Sequence, residues 1–151
     1  GRWWDDCMEN TPSKIVYTAV ARSTGGRSGQ SVSTNPDITL DLRAPVVMGG
    51  PGDGTNPEQL FAMGYGACFQ GALGIAGKEA GVKTADSLVE TSVGIGPEGE
   101  SYAISVRIRV YIPGVDLAQA QALADRTHQL CPYSKATRGN VPVEVIAVDA
   151  L

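Results

Sequence analysis

The chain has 151 residues, enough for one well-buried core and marginal for two, and its 42% hydrophobic and 19% charged content is that of an ordinary globular domain. Its 12 basic and 16 acidic residues give a formal net charge of −4 with no run of Lys or Arg, which argues against nucleic acid or an anionic membrane surface as a partner. No stretch reads as a membrane span of about 20 apolar residues, and three dispersed cysteines with a single histidine argue against a structural zinc site.

Residues 1–14 read as an N-terminal extension to a single domain over residues 15–151. The segment Gly1-Arg2-Trp3-Trp4-Asp5-Asp6 is polar and acidic and lacks the apolar region of a signal peptide, so a cytoplasmic protein is expected. Residues 15–21, rich in β-branched and aromatic side chains, predict a first strand. A glycine-rich turn over residues 24–29 follows. Strands are then expected over residues 31–34 and 38–42, the latter alternating apolar and polar positions.

A glycine-rich loop over residues 49–55 leads to a helix. Asn56 suits the N-cap, Pro57 the first helical position, and Glu58 complements the helix dipole. The pattern runs to Ala80, with Gly81 as the stop. From Leu60 to Phe69 it carries no charge, so it is expected to be buried on all sides. Its interior glycines each cost about 0.5–1 kcal/mol relative to Ala, and close approach of another backbone is the usual reason to keep them. Strands over residues 88–95 and 102–112 come next. Asp116 then caps a second helix over 117–130, which Pro132 ends, and a last strand spans 143–148. The order βββ-α-ββ-α-β predicts an α+β fold, an antiparallel sheet packed on a long buried central helix plus a second helix.

Cys68, in the middle of the apolar helix, is either a small buried hydrophobe or a nucleophile. Burial raises a thiol's pKa, so a reactive Cys68 needs a cation from elsewhere in the fold. Cys131 sits at a helix end, where a side chain is free to meet a partner; it too reads as packing or as a resolving thiol. Arg27 in its glycine loop and Arg138 beyond Cys131 are the candidate cations, each otherwise a solvated loop residue. Arg107 and Arg109 alternate with apolar residues and read as the wet face of a strand. His128 shares a helix face with Cys131 and either tunes that thiol or is structural. Glu58 either complements the dipole or holds an arginine through a carboxylate fork. Cys7 is assigned no role.

Two segments carry a resemblance. Asn56-Pro57-Glu58-Gln59-Leu60-Phe61-Ala62-Met63-Gly64-Tyr65-Gly66-Ala67-Cys68-Phe69 resembles the peroxidatic-cysteine motif of the organic hydroperoxide resistance family, within the wider OsmC superfamily. Cys131-Pro132-Tyr133-Ser134-Lys135-Ala136-Thr137-Arg138-Gly139-Asn140 is similar to its resolving-cysteine motif, and Thr24-Gly25-Gly26-Arg27 to its arginine loop. The likeness spans residues 15–149; Lys135, where many relatives carry Asn, and the N-terminal extension depart from the pattern. It implies Cys68 as peroxidatic thiolate, Cys131 as resolving thiol, Arg27 as stabiliser of the thiolate and leaving alkoxide, and Glu58 as the group orienting Arg27. It also implies an intertwined homodimer that reduces organic hydroperoxides, binds no metal or flavin, and is re-reduced by dithiols, characteristically lipoyl groups. Phe61, Tyr65 and Phe69 are expected to line an apolar pocket suited to alkyl or lipid hydroperoxides. The rival readings are a non-catalytic binder of apolar ligands and a peroxide-sensing protein of the same fold.

Overall fold

A computed structural model describes residues 10–151; the acidic Gly1-Arg2-Trp3-Trp4-Asp5-Asp6 segment and Cys7 lie outside them. The chain forms two compact units, Gly1–Leu60 and Phe61–Leu151.

In the first unit β1 (Ala21–Thr24), β2 (Gln30–Ser33) and β3 (Ile38–Asp41) form an antiparallel sheet in the order β1-β2-β3. A tight 3-10 turn, Gly26–Ser28, joins the first two strands, entered by Gly25 at φ 73°. A side chain at Gly29 would collide with the Thr24 carbonyl at 1.7 Å, so this turn closes only around glycine. The first strand begins at Ala21 rather than at residue 15. Residues 15–20 join no ladder, and Val16 and Tyr17 stand 85% and 73% exposed. Strand propensity expresses fit to a half-buried pleated surface, and within this unit no such surface covers them.

The second unit is built on α1 (Pro57–Ala80), whose first turn belongs to the first unit. Its ends follow the sequence signals. Asn56 Oδ1 accepts from the Gln59 N–H at 2.8 Å, and Gly81, at φ 69°, closes the other end with Val82 N–H donating to the Gly77 carbonyl. Strands β4 (Leu88–Glu98) and β5 (Ser101–Tyr111) pair antiparallel around the expected turn. Asp116 caps α2 (Leu117–Leu130) by accepting from the Gln119 N–H at 2.7 Å.

Four expectations are corrected here. First, Pro132 ends α2 but also opens α3 (Pro132–Thr137), as proline suits the first helical position. Second, β6 (Val143–Val148) lies parallel to β5, so the sheet β4-β5-β6 is mixed rather than wholly antiparallel. The helical connection between β5 and β6 is a crossover, which returns a strand in the same direction. Third, α1 is buried along one face only, through Tyr65, Phe69, Ala72, Leu73, Ala76 and Gly77. Met63 and Ile75 are 58% and 57% exposed, and Gly71 and Gly74 face open space. Fourth, by length and composition alone α1 is also apolar enough to cross a membrane, contrary to the sequence reading. Its buried face belongs to the core of the second unit, with Val106, Ile108 and Val110 of β5 and Ala120, Leu123 and Ala124 of α2.

Close approach explains two of the glycines. A methyl at Gly66 would stand 2.9 Å from Thr91 Oγ1, and one at Gly77 would stand 2.8 Å from the Val82 carbonyl. On the far side, Gln121 of α2 reaches β6. Its Nε2 donates to the Val145 carbonyl at 3.1 Å and its Oε1 accepts from the Ala147 N–H at 2.7 Å.

Candidate active site

In the first unit Arg27 and Glu58 form a two-pronged fork, with Arg27 Nη1 and Nη2 each donating to one Glu58 oxygen at 2.7 Å. The glycine turn presents the arginine, and the first turn of α1 presents the carboxylate. The Glu58 side chain is 14% exposed and that of Arg27 39%. Hydrogen bonding to Arg27 holds the Glu58 carboxyl below its usual range despite partial burial, and the same bond raises the guanidinium. Sequence reasoning missed Arg43. Its Nη1 donates to the carbonyls of Ser28, Gly29 and Leu42, tying down the end of the arginine turn. An arginine beside a strand end carries no signal in sequence that it will gather loop carbonyls.

In the second unit the two cysteines named from sequence are brought together. Cys131 Sγ donates to Cys68 Sγ at 3.7 Å, and both are free thiols. Cys131 is fully buried and Cys68 half-buried. The residue before proline is pushed out of helical geometry, so Cys131 takes an extended conformation (φ −64°, ψ 122°) and breaks the chain between α2 and α3. A disulfide bond is about 2.05 Å long, so the sulfurs close it with less than about 2 Å of movement. Burial pushes the Cys68 thiol above its ordinary pKa. The Tyr133 backbone N–H opposes this by hydrogen bonding to the sulfur, and Cys131 adds to the rise.

A family model for OsmC-like proteins matches residues 50–146. The organic hydroperoxide resistance protein of Xanthomonas axonopodis pv. citri (strain 306) is 47% identical over 135 residues, covering 88% of this chain and 95% of that protein. The chain belongs to the OsmC-like family. Organic hydroperoxide resistance protein OhrB of Bacillus subtilis (strain 168) is 39% identical over 132 residues, with coverage of 86% and 96%. Among solved structures, an organic hydroperoxide resistance protein of Legionella pneumophila superposes with a TM-score of 0.84 at 37% identity, over 91% of this chain and 100% of that one. The α+β architecture of this chain is that of its OsmC-like structural neighbours.

Within this OsmC-like chain the other sequence candidates have structural partners. Arg138 Nη2 donates to the His128 carbonyl and so caps α2. Arg107 and Arg109 pair with Glu144 and Glu90 on the exposed sheet face, as expected. Of the three aromatics expected to line a pocket, Tyr65 and Phe69 are fully buried core residues and only Phe61, 37% exposed, faces outward. The Tyr65 hydroxyl instead meets Ser134 Oγ at 2.8 Å and Thr137 Oγ1 at 3.1 Å. His128 Nδ1 meets the same Ser134 Oγ at 2.7 Å. Burial lowers the His128 pKa, the positive charge of Arg138 adds to this, and Asp125 opposes it. Among the described residues, no group of three or more His, Cys, Asp or Glu side chains is gathered to hold a metal ion.

Proposed function

We propose that this protein is a thiol-dependent peroxidase that reduces organic hydroperoxides to alcohols. The observation that carries the reading is the pair of free thiols, Cys68 and Cys131, at 3.7 Å, one half-buried and one fully buried. The relatives named for organic hydroperoxide resistance support a peroxide-resistance role.

The Cys68 thiolate attacks the distal oxygen of the hydroperoxide. The S–O bond forms, the O–O bond breaks, and the alkoxide leaves as an alcohol after taking a proton; Cys68 becomes a sulfenic acid. Cys131 then attacks that sulfur, forming the disulfide and releasing water. A dithiol such as a lipoyl group returns both cysteines to thiols by exchange. Arg27, aligned by Glu58, supplies the positive charge that a buried thiolate and a leaving alkoxide require.

A homodimer accounts for how these groups meet. Ten residues of helix at about 1.5 Å each put Glu58 and Cys68 of one chain about 15 Å apart along the axis, too far for one guanidinium to serve both. Two copies of α1 packed antiparallel about a two-fold axis near Met63 bring Glu58 of one chain level with Cys68 of the other. The exposed Gln59, Met63 and Ala67 recur at helical spacing and lie symmetrically about that axis. Of Gly64, Gly66 and Gly71, the glycines expected to let the two helices approach, Gly64 and Gly66 instead face Tyr133 and Thr91, and Gly71 faces open space. The lipoyl reductant rests on the family resemblance.

The test is one equivalent of cumene hydroperoxide added to the reduced protein. Stoichiometric loss of two thiols with a Cys68–Cys131 disulfide in the peptide map is expected, and turnover should be supported by dihydrolipoamide. Unchanged thiols in the wild type, or equal turnover in Cys68→Ser, would remove the reading.

A further inference from the structure

The hydroxyls around Cys131 form a chain whose protons can be counted. Thr137 Oγ1 lies 3.2 Å from the Ser134 carbonyl, which can only accept. If Thr137 donates there, its lone pair must accept from Tyr65. Tyr65 has one proton, so it must then accept from Ser134. Ser134 likewise has one proton, so it must accept from His128 Nδ1. Read this way, the group makes four hydrogen bonds with four protons. In the reverse sense, with Ser134 donating to Nδ1, Thr137 donates to Tyr65 and the bond to the carbonyl is lost, leaving three. The Ser134 carbonyl also accepts from the Arg138 N–H at 2.9 Å in either case.

We propose that this chain fixes neutral His128 as its Nδ1–H tautomer and makes His128 and Ser134 positioning residues for Cys131. The chain joins three elements around the thiol: His128 three residues before it on α2, Ser134 and Thr137 on α3, and Tyr65 on α1, three residues before Cys68. Ser134 and Tyr65 are fully buried and Thr137 nearly so, so this polar cluster is shielded from water, which would otherwise compete for its bonds. The tie holds the α2–α3 corner against the helix that carries Cys68 and keeps the sulfurs at closing distance. Because both the neutral Nδ1–H form and the imidazolium donate from Nδ1, the tie survives protonation of the ring. The free nitrogen is Nε2, and the charged groups acting on the ring are Arg138 and Asp125. This assignment deepens the peroxidase reading and rests on it for the role of Cys131.

His128 is the only histidine in the chain, so its nitrogen resonances need no assignment by mutation. Nitrogen-15 NMR of the labelled wild type, above the pH at which the ring titrates, should show protonated Nδ1 and bare Nε2. Tyr65→Phe, which leaves the Ser134 proton no acceptor but the ring, should move the population toward Nε2–H. A wild-type ring that is Nε2–H overturns the assignment. The positioning role is read without peroxide, from the fraction of Cys68–Cys131 disulfide in mixtures of reduced and oxidised glutathione. His128→Ala and Ser134→Ala should lower the effective concentration of the thiol pair several-fold, and His128→Asn, whose amide replaces the Nδ1 donor, should restore most of it. An equilibrium unchanged in Ser134→Ala overturns the role. Since no hydroperoxide enters this measurement, its outcome is separate from that of the turnover assay.

Discussion

Thr91→Val should stabilise the protein. Thr91 lies on β4 and its Oγ1 is buried against Gly66 of α1, with no hydrogen-bond partner. A hydroxyl in such a place costs about 1–3 kcal/mol on the scale of protein mutations. Valine keeps the β-branched shape and strand preference but has no polar atom to desolvate. Against this stands the larger methyl group in a tight place beside Gly66, which returns part of the gain. The net expectation is about 1 kcal/mol, a rise in melting temperature of about 2–4 °C for a chain of this size. Urea denaturation should move its midpoint without changing its slope. Gly66→Ala tests the same contact from the other side. It adds helix propensity of about 1 kcal/mol but sets a methyl 2.9 Å from Thr91 Oγ1, so it should destabilise the wild type and be better tolerated with Thr91→Ala. A loss of stability of 1 kcal/mol or more in Thr91→Val would refute the reasoning, for it would mean that the hydroxyl is bonded.

Cys131→Ser should complete one oxidation and then carry Cys68 to sulfinic acid under excess peroxide, whereas Cys68→Ser should consume none; mass spectrometry of the treated variants checks both. Arg27→Ala should raise the pH at which Cys68 is alkylated and slow its oxidation, with Arg27→Lys recovering only part because ammonium cannot make the fork; an alkylation profile against pH reads this. The Glu58 carboxyl has a folded-state pKa below its unfolded value, so its contribution to stability is present above the ordinary carboxylate range, near pH 4.3, and is lost as pH falls through the depressed value. Glu58→Gln should therefore flatten the acid limb of a melting-temperature profile below about pH 4.3 while lowering stability at neutral pH by at most about 1 kcal/mol, as Arg27 is partly exposed.

The elements most legible in the sequence were those whose signals are local. The Asn56 and Asp116 caps, the Gly81 stop and the alternation in β5 depend on a few neighbouring residues, and each lies where it was expected. The strand over residues 15–21 failed because propensity cannot say whether a pleated surface exists to receive it. The direction of β6 depends on how the intervening helices cross the sheet, which no side-chain pattern records. Cys68 and Cys131 were named by motif, but their 3.7 Å separation joins positions 63 residues apart. Tyr65 shows the limit most plainly. Three positions before Cys68, it reads as pocket lining beside a nucleophile, yet its hydroxyl is committed to Ser134 and Thr137 inside the core.

The reach of Gln121 guards one border of the sheet of the second unit. Along β6 the Pro142 carbonyl accepts from the Val106 N–H, so even-numbered residues face β5 and Val145 and Ala147 turn their backbone groups outward. The side-chain amide of Gln121 answers both, imitating one residue of a neighbouring strand. An extended peptide approaching that side finds its hydrogen-bonding positions taken at the centre of a six-residue strand. At the entrance of β4, on the opposite border, Gln70 Nε2 of α1 donates to the Ser87 carbonyl at 2.8 Å. On the β6 border a single glutamine on a helix closes the centre of the sheet's edge to strand addition, by another protein or by an aggregating copy.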